Sequence, residues 1–333
     1  MTLKRRILLK SSAAAAVTLA MPHVARANAT RVRIAHAASE VHPAQVLATS
    51  FAETLEELMP GAFDVQIFPN RQLGGDRDLL ESAVAGTMDI AVASGVLVPL
   101  VTGREGMNAW QLPFLVRDYD HFGELAQSAA GQAILDDLDA AGLKALAIAD
   151  TGQRHFLSVP RAVTQLDDFA GLKTRIVPVP LHQAVWAAVG TAPVGLPYGE
   201  VYGALETGVI DAVEINISSM LGENLWEAGR NFTLTGHYPW HMASLASQRF
   251  WDSLTQEQQA AAVEAGRRSV QATLDYAKIQ DLEGREVLAA NGVEIAELAD
   301  LAVMQAQVAT LTSEWAARDP LIADFVAQAT QAT

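Results

Sequence analysis

Short apolar runs and amphipathic stretches alternate along the first half of the chain. Residues 32–37 are predicted to form a short strand, and residues 43–59 carry apolar side chains at helical spacing. Residues 63–69 alternate apolar and polar side chains, which predicts a second strand that ends at a proline. A further helix follows, with Asp76 as its expected N-cap, and the nearly continuous apolar run at 88–93 predicts a strand covered on both faces. This βαβαβ order is typical of a doubly wound parallel sheet.

The second half of the chain repeats this order. Apolar runs predict strands at 143–149, 172–177 and 209–217, and helical spacing predicts helices at 181–189 and 199–207. The two halves therefore have a similar order of predicted elements. The sequence predicts an α/β protein with two similar lobes.

A much longer helical pattern follows these two halves. It begins after Thr255, whose side chain is expected to form a capping box with Gln258, and it persists to Ala290. An unbroken helix of this length would measure about 52 Å, which exceeds the width of one lobe. We therefore expect a strut that crosses both lobes, and a break near Gln271 is the alternative.

The expected chain crossings divide the protein into two discontinuous lobes. The chain is expected to cross three times, the last time within the long helix. One lobe then comprises residues 31–151 and 241–280, and the other comprises residues 152–240 and 281–333, with the C-terminal segment packed on the second lobe. Three crossings leave a hinge with few degrees of freedom, which suits closure over a ligand.

Composition and charge narrow the classes of function. Of the 333 residues, 50% are hydrophobic, which is enough to bury a large core and excludes a disordered chain. The formal net charge is −15, so the protein has no general affinity for nucleic acid or for anionic membranes. The absence of cysteine excludes disulfides, thiol catalysis and Cys-ligated metals. Because the net charge is negative, an anionic ligand would need positively charged side chains close to it.

The N-terminus has the order of an export signal. Residues 1–29 begin with basic side chains, continue with an apolar run of about nine residues that is too short to span a bilayer, and carry no acid. Small residues allow cleavage after Ala27 or Ala29. The pair Arg5 and Arg6 resembles a twin-arginine signal, with a Sec signal as the alternative. No other stretch reaches the length of a membrane span.

Two arginines are the strongest candidates for a ligand site. Arg175 ends the predicted strand at 172–177, and Arg154 follows the strand at 143–149 in an expected loop. Ligands of open α/β sheets bind beyond the carboxyl ends of the strands. A guanidinium is planar and can donate two parallel hydrogen bonds to a carboxylate. The two residues therefore predict a carboxylate site, with ordinary pairing to surface acids as the alternative.

Five further residues lie at expected strand ends or in nearby loops. These weaker candidates are Asn216, His36, Glu40, Asp76 and Trp240. Asn216 ends a strand, and Trp240 could form the wall of a sugar-sized site. For Asp76 the alternative is helix capping alone, and for His36 and Glu40 it is a capping or core role.

The chain contains no short motif of an enzyme, a cofactor site or a metal site. The patterns G-x-S-x-G, G-x-G-x-x-G and the P-loop are missing. His237 and His241 are four residues apart, but Pro239 between them breaks the helix that would align them on a metal. The sequence therefore predicts no cofactor, no metal and no catalytic residue.

Four segments in order resemble one protein family. They are FPNRQLGGD at 68–76, LPFL at 112–115, DDFAGLKTR at 167–175 and GEVYGALETGVID at 199–211. Together they resemble the DctP-type substrate-binding proteins of tripartite ATP-independent periplasmic (TRAP) transporters, over essentially the whole mature chain. The resemblance implies a two-lobe, periplasmic-binding-protein-like architecture with a long helix that bridges both lobes.

The same resemblance implies a function. Such proteins capture an organic acid between the lobes and deliver it to membrane permease subunits driven by an ion gradient, which implies the periplasm. The arginine of the family's GLKxR motif clamps the ligand carboxylate and matches Arg175, and a second arginine upstream matches Arg154. The chain departs from the family where an asparagine is usual, because Ile215 occupies that position and Asn216 follows it.

The expected ligand is therefore a small carboxylate, and we expect a sugar acid such as a hexuronate. The segment at 152–156 is similar to family members that bind sugar acids. A C4-dicarboxylate or another hydroxy acid is the alternative ligand. A secreted hydrolase or lyase that acts on such acids is the alternative from a different class of protein.

Overall fold

The computed structural model describes residues 29–331 of the chain. Of the expected export signal, only Ala29 falls within this range, and the rest of the signal lies outside it. The strands are β1 (Thr30–Ala35), β2 (Phe63–Phe68), β3 (Ile90–Ser94), β4 (Leu143–Ser158), β5 (Lys173–Ile176), β6 (Ala192–Gly195), β7 (Ala212–Asn216), β8 (Asn231–Leu234), β9 (Pro239–Ser247) and β10 (Glu294–Glu297). The helices are α1 (Pro43–Leu58), α2 (Asp76–Val84), α3 (Val98–Thr102), α4 (Tyr119–Gln127), α5 (Ala129–Asp136), α6 (Pro180–Ala188), α7 (Val201–Glu206), α8 (Ile217–Gly222), α9 (Gln248–Ser253), α10 (Gln256–Ala290), α11 (Leu301–Ala316) and α12 (Pro320–Gln331).

All strands of the described range belong to one continuous sheet. Its order is β2-β1-β3-β9-β4-β7-β5-β6, and β8 and β10 extend it from β4. In the first half β1 pairs in parallel with β2 and β3, and in the second half β5 pairs in parallel with β6 and β7. The antiparallel strands β9 and β4 join the two halves. Every residue of β3, β7 and β9 is buried, as expected for strands covered on both faces.

Strand β4 is shared by both halves of the sheet. It pairs with β9 up to Gln153, and from Arg154 onward it pairs with β7 and then also with β8. Its register with β9 shifts between Asp150 and Gln153, where Gly152 takes a φ of +136°. A Cβ added to Gly152 would lie 2.9 Å from the amide nitrogen of Asn216, so a side chain would clash there. The expectation that Arg154 lies in a loop is wrong, because this glycine bulge lets the strand continue.

Helix α10 bridges the two halves. It runs unbroken over 35 residues, so the alternative of a break near Gln271 does not hold. Its N-terminus has the expected capping box, in which Thr255 Oγ1 accepts the N–H of Gln258 at 3.2 Å and Gln258 Oε1 accepts the N–H of Thr255 at 3.0 Å. The helix packs on α1 of the first half and on α8 and β10 of the second, with β4 between them. The α/β architecture with two lobes and a bridging helix is thus confirmed. No helix among residues 29–331 combines the length and apolar character that crossing a bilayer requires.

The C-terminal helix α12 packs elsewhere than expected. Apart from α11, its main contacts are with α4, α5 and the 3-10 helix Glu105–Gln111, all in the first half of the chain. Phe325 on its buried face meets Trp110 edge to face, with the ring centroids 4.6 Å apart. The expectation that all of residues 281–333 pack on the second lobe therefore does not hold for α12, because its apolar face is buried on the first.

Two buried carboxyl groups lie where β4 passes from β9 to β7. Asp150 is fully buried, and its oxygens accept hydrogen bonds from the N–H of Gly152 at 2.9 Å and from the side-chain amide of Gln153 at 3.0 Å. Asp281 of α10 accepts a hydrogen bond from the Tyr119 hydroxyl at 2.5 Å. Burial raises the pKa of Asp150 to about 8, with a further contribution from Asp281, and burial raises the pKa of Asp281 to about 6.

We expect Asp150 to contribute less to the stability of the protein as the pH rises from about 4 to about 8. In this window folded Asp150 keeps a proton that the unfolded chain releases, so its contribution to the free energy of unfolding falls by up to ~1.4 kcal/mol per pH unit, while buried histidines such as His42, whose pKa burial lowers to about 3, contribute in the opposite sense below pH ~6.5. Asp150→Asn should remove the Asp150 contribution, so the change in the free energy of unfolding from pH 5 to pH 8, measured in urea, should be more positive than in the parent. The control Asp89→Asn removes a partly exposed carboxylate bonded to Arg33 and should keep the pH slope of the parent. Equal slopes in the parent and in Asp150→Asn would contradict the assignment.

Candidate ligand-binding cleft

A cavity of about 490 Å³ lies between the two halves of the sheet, within the size range of small-molecule sites. It is placed at the carboxyl ends of β3 and β5, where open α/β sheets bind their ligands. Four of the predicted site residues line it, namely Arg175, Arg154, Asp76 and Trp240. Its wall also includes the polar residues His42, Arg71, Ser94, Tyr198 and Ser219.

Arg175 presents a buried guanidinium to the cavity. Its Nε and Nη2 both donate to the backbone carbonyl oxygen of Leu196, at 3.0 and 2.8 Å. Among residues 29–331 no carboxylate oxygen lies within 4 Å of it, and none of these residues accepts a hydrogen bond from Nη1. Burial lowers the pKa of Arg175 to about 10, so the group stays charged at neutral pH. A buried cation without an acidic partner is costly, and an anionic ligand would supply that partner.

Arg154 is held by a buried glutamate. Its Nε donates to Glu214 Oε2 at 2.5 Å, and Nη2 donates to the backbone carbonyl of the same residue. The guanidinium lies over the Trp240 ring, with Cζ 4.1 Å from the ring centroid. Burial alone would raise the pKa of Glu214, but the charge of Arg154 and the nearby His237 ring, whose Nε2 lies 3.8 Å from Oε2, hold it below its ordinary value. Arg154 and Trp240 therefore form a rigid wall whose charge is already balanced.

Asp76 and Ser94 form a polar corner in the first half. Gly75 is the N-cap of α2 and Asp76 is the first helical residue, so the expected capping role of Asp76 is wrong. Asp76 Oδ1 instead accepts the N–H of Ser94 at 3.3 Å. Burial raises the pKa of Asp76 to about 6, against the opposing effects of this hydrogen bond and of Arg175. Ser94 Oγ is buried without a hydrogen-bond partner among the described residues. A carboxyl acceptor beside a free hydroxyl suits the hydroxyl groups of a ligand.

Three predicted candidates do not line the cavity. His36 is buried, and its Nε2 is hydrogen-bonded to a glutamine of α1 at 2.8 Å. Glu40 is exposed to solvent. Asn216 lies behind the wall, where its side chain accepts from Arg154 Nη1 at 3.4 Å and donates to the carbonyl of Thr151 at 3.0 Å. Asn216 therefore positions Arg154, and a direct role for the other two in this cavity is not supported.

Sequence reasoning assigned no site role to Arg71, Tyr198 and Ser219 of the cavity wall. Arg71 donates to both carboxylate oxygens of Glu223 in the opposite half, and His42 Nε2 lies 3.2 Å from Ser219 Oγ. Arg71 could have been found, because it follows the carboxyl end of β2 and the rule that identified Arg175 applies there too. Tyr198, which lies before α7, has no comparable signal in the sequence.

The charges of the wall leave one arginine without an acidic partner. Three of the four arginines that line the cavity are paired with a glutamate, and Arg175 is the exception. Within the described range, no three His, Asp or Glu side chains are grouped so that they could hold a metal ion. The arrangement therefore suits one small organic anion.

The model of the family described as bacterial extracellular solute-binding protein, family 7 (DctP), matches residues 34–319. The chain belongs to the DctP family. This confirms the resemblance found in the four sequence segments. Among curated relatives of this DctP-family protein, the C4-dicarboxylate-binding periplasmic protein DctP of Rhodobacter capsulatus is 32% identical over 253 residues, which cover 76% of this chain and 75% of the relative.

Solved structures of TRAP periplasmic solute-binding proteins have the same fold. The protein of Xanthobacter autotrophicus with bound β-D-galacturonate has a TM-score of 0.85 and 28% identity, and the match covers 91% of this chain and 100% of that one. The sugar acid-binding protein of Advenella mimigardefordensis in complex with galactonate has a TM-score of 0.87 at 22% identity, covering 92% and 99%. In this DctP-family protein, the arginine without an acidic partner is Arg175, the residue that matches the family's GLKxR motif.

Proposed function

We propose that this DctP-family protein is a periplasmic receptor that binds the carboxylate of a sugar acid, foremost a hexuronate, and delivers it to the membrane permease subunits of a TRAP transporter. The observation that carries the proposal is the buried guanidinium of Arg175, which faces the cavity without an acidic partner. A ligand carboxylate would accept from Nη1 and neutralise this charge. Arg154, whose charge Glu214 balances, lines the same cavity.

Polar groups away from Arg175 support a ligand with hydroxyl groups. The Asp76 carboxylate can accept from a ligand hydroxyl, and Ser94 Oγ, buried without a partner, can pair with another. Trp240 adds a flat apolar surface, of the kind on which a sugar ring packs. The galacturonate bound by the Xanthobacter autotrophicus protein, at 28% identity, supports the same class of ligand.

A C4-dicarboxylate is the second candidate, and the Rhodobacter capsulatus relative supports it. Such a ligand carries two negative charges. Among the arginines of residues 29–331 that line the cavity, one, Arg175, has no acidic partner. The second carboxylate of a C4-dicarboxylate would meet Asp76, which carries negative charge above a pH of about 6. Two like charges at close range repel in a water-poor site. We therefore favour a monocarboxylate.

We also propose that the two halves close over the ligand as lobes. The proposed boundaries are residues 31–151 with 241–280 for one lobe and 152–240 with 281–319 for the other, with α12 on the first. The shared strands β4 and β9 and the helix α10 are the crossings between them. Closure would expel water from the cavity and strengthen the arginine–carboxylate pair.

Calorimetric titration with D-galacturonate, D-glucuronate, succinate and malate tests the proposed function. We expect the two hexuronates to bind at one equivalent and at least about tenfold more tightly than the dicarboxylates. Asp76→Asn should narrow this gap, because it removes the charge that repels a second carboxylate. Recovered ligand should be unchanged by NMR, since turnover would indicate the hydrolase or lyase instead. Tighter binding of succinate than of either hexuronate would overturn the sugar-acid assignment.

A further inference from the structure

Two contacts join the halves directly across the mouth of the cavity. Arg71 lies in the loop between β2 and α2, and its Nη1 and Nη2 donate to the two carboxylate oxygens of Glu223 at 2.9 and 3.0 Å. Glu223 directly follows α8 in the second half. One helical turn earlier, Ser219 Oγ lies 3.2 Å from Nε2 of His42, which caps α1 in the first half. Glu223, the C-cap residue of α8, lies four positions after Ser219, so the two side chains project on about the same side of the helix.

The direction of the His42 hydrogen bond follows from its other nitrogen. His42 Nδ1 accepts the N–H of Ala44 at 3.1 Å, so in the neutral ring Nε2 carries the proton. Burial lowers the pKa of His42 to about 3, and the ring is therefore neutral at physiological pH. Nε2 thus donates to Ser219 Oγ. This contact needs no charge, whereas the Arg71–Glu223 contact is ionic.

Arg71 is fixed to both halves of the molecule. Nη1 also donates to the carbonyl of Ala37 in its own half at 3.0 Å. On the other half, its Cζ lies 5.4 Å from the centroid of the Tyr198 ring, and a Cβ added to Gly199 would lie 3.3 Å from Arg71 Cδ. The side chain therefore reaches across the cleft in a defined conformation, which reduces the entropy lost on forming the pair with Glu223.

We propose that the Arg71–Glu223 pair, with His42–Ser219 beside it, is a clasp that holds the two lobes closed and sets how long a ligand stays bound. Because the partners belong to different halves, the clasp must break when the lobes separate. The pair is bidentate and only partly exposed, with 33% of the Arg71 side chain and 15% of the Glu223 side chain accessible, so it is stronger than a typical surface ion pair. Loss of the clasp should speed dissociation more than it slows association, as contact changes generally do. The kinetic part of this inference rests on the proposed function.

Stopped-flow fluorescence, with Trp240 in the cavity wall as the reporter, measures the dissociation rate of D-galacturonate. We expect Arg71→Gln and Glu223→Gln each to raise this rate about tenfold and to change the association rate by less than about threefold. The double variant should dissociate no faster than the faster single variant, since both remove one interaction. Added salt should speed dissociation from the parent protein more than from Arg71→Gln.

Arg104→Gln is the matched control. Its pair with Asp137 at 3.4 Å has comparable exposure, 36% and 29%, but lies within the first half. This variant should keep the dissociation rate of the parent, and thermal melts confirm that all variants are folded. Dissociation rates of Arg71→Gln and Glu223→Gln equal to that of Arg104→Gln would overturn the clasp while leaving the proposed function standing.

If the parent protein does not bind D-galacturonate, the proposed ligand is refuted instead. The clasp is then tested by a distance measurement in the ligand-free protein. The chain has no cysteine, so spin labels at Val84→Cys and Val209→Cys, both exposed and one in each half, report on lobe separation alone. A distribution of label-to-label distances that is shifted to larger values in Arg71→Gln than in Arg104→Gln supports the clasp. Identical distributions in these two variants overturn it.

Discussion

Arg175→Lys is expected to lose at least about a hundredfold of the affinity for D-galacturonate, and Arg175→Ala at least as much. Removing one partner of a buried charge pair costs about 2–5 kcal/mol, because water cannot replace the lost hydrogen bonds in a closed cavity. A lysine keeps the positive charge, but its compact ammonium cannot hold the carbonyl of Leu196 and also donate two parallel bonds to a carboxylate. Calorimetric titration measures both variants.

The control for this prediction is Arg161→Lys. Arg161 lies in the same half outside the cavity, and its guanidinium also donates to backbone carbonyls, those of Asp168 and Ala170. This variant should bind like the parent. The ligand-free Arg175 variants should melt no lower than the parent, because the charge they remove has no acidic partner in the folded protein. If Arg175→Lys binds as tightly as Arg161→Lys, a bidentate clamp at Arg175 is wrong.

The parallel halves and the long helix could be predicted because their signals are local. Strands such as β3 are buried on both faces and therefore read as continuous apolar runs, and helices such as α1 show apolar residues at helical spacing. For α10 the signal was the capping box at Thr255, and the structure has it. Each of these features depends on residues within one or two turns of each other.

The antiparallel centre of the sheet has no such local signal. Strand β9 includes a proline, a tryptophan and a histidine, yet all of it is buried, because distant groups satisfy its backbone. The Thr151 hydroxyl donates to the carbonyl of Trp240 at 2.6 Å, and the Gln111 amide donates to that of Pro239 at 3.0 Å. The continuation of β4 past Gly152 depends in the same way on pairing with a strand about sixty residues away.

Residues of the cavity wall could be predicted from the sequence where the sheet topology alone determines their position. The position of Arg175 in the cavity wall could be predicted because strand ends converge at one edge of a sheet. Asp76 also lines the cavity, although the helix-capping role expected for it is wrong. The partner of Arg154 could not be predicted, because Glu214 occupies the interior of an apolar strand, where the pattern predicts a hydrophobic side chain. A buried acid in such a strand signals a buried base, but the sequence does not show which one.

Glu214→Gln is expected to lower the free energy of unfolding by about 3–5 kcal/mol. Glu214 is fully buried, and its carboxylate lies 2.5 Å from Arg154 Nε, so the substitution leaves the guanidinium buried without its counter-charge. Urea unfolding at pH 7 measures the loss. The control is Glu81→Gln, which breaks an exposed pair with Arg77 in α2, where 50% and 64% of the two side chains are accessible. That loss should stay below ~1 kcal/mol.

A second variant tests whether the loss of stability comes from the unpaired charge of Arg154 or from a change in packing. Arg154→Met in the Glu214→Gln background removes the guanidinium, so it should recover part of the lost stability, as apolar replacements of buried ion pairs do. The loss should also depend on pH. Because the folded-state pKa of Glu214 lies below its unfolded value, its stabilisation is complete well above pH ~4.3 and declines as the pH falls further. The penalty of Glu214→Gln should therefore be smaller at pH 3 than at pH 7. A penalty below ~1 kcal/mol at pH 7, or one that is equal at both pH values, would show that the ion pair with Arg154 is not its source.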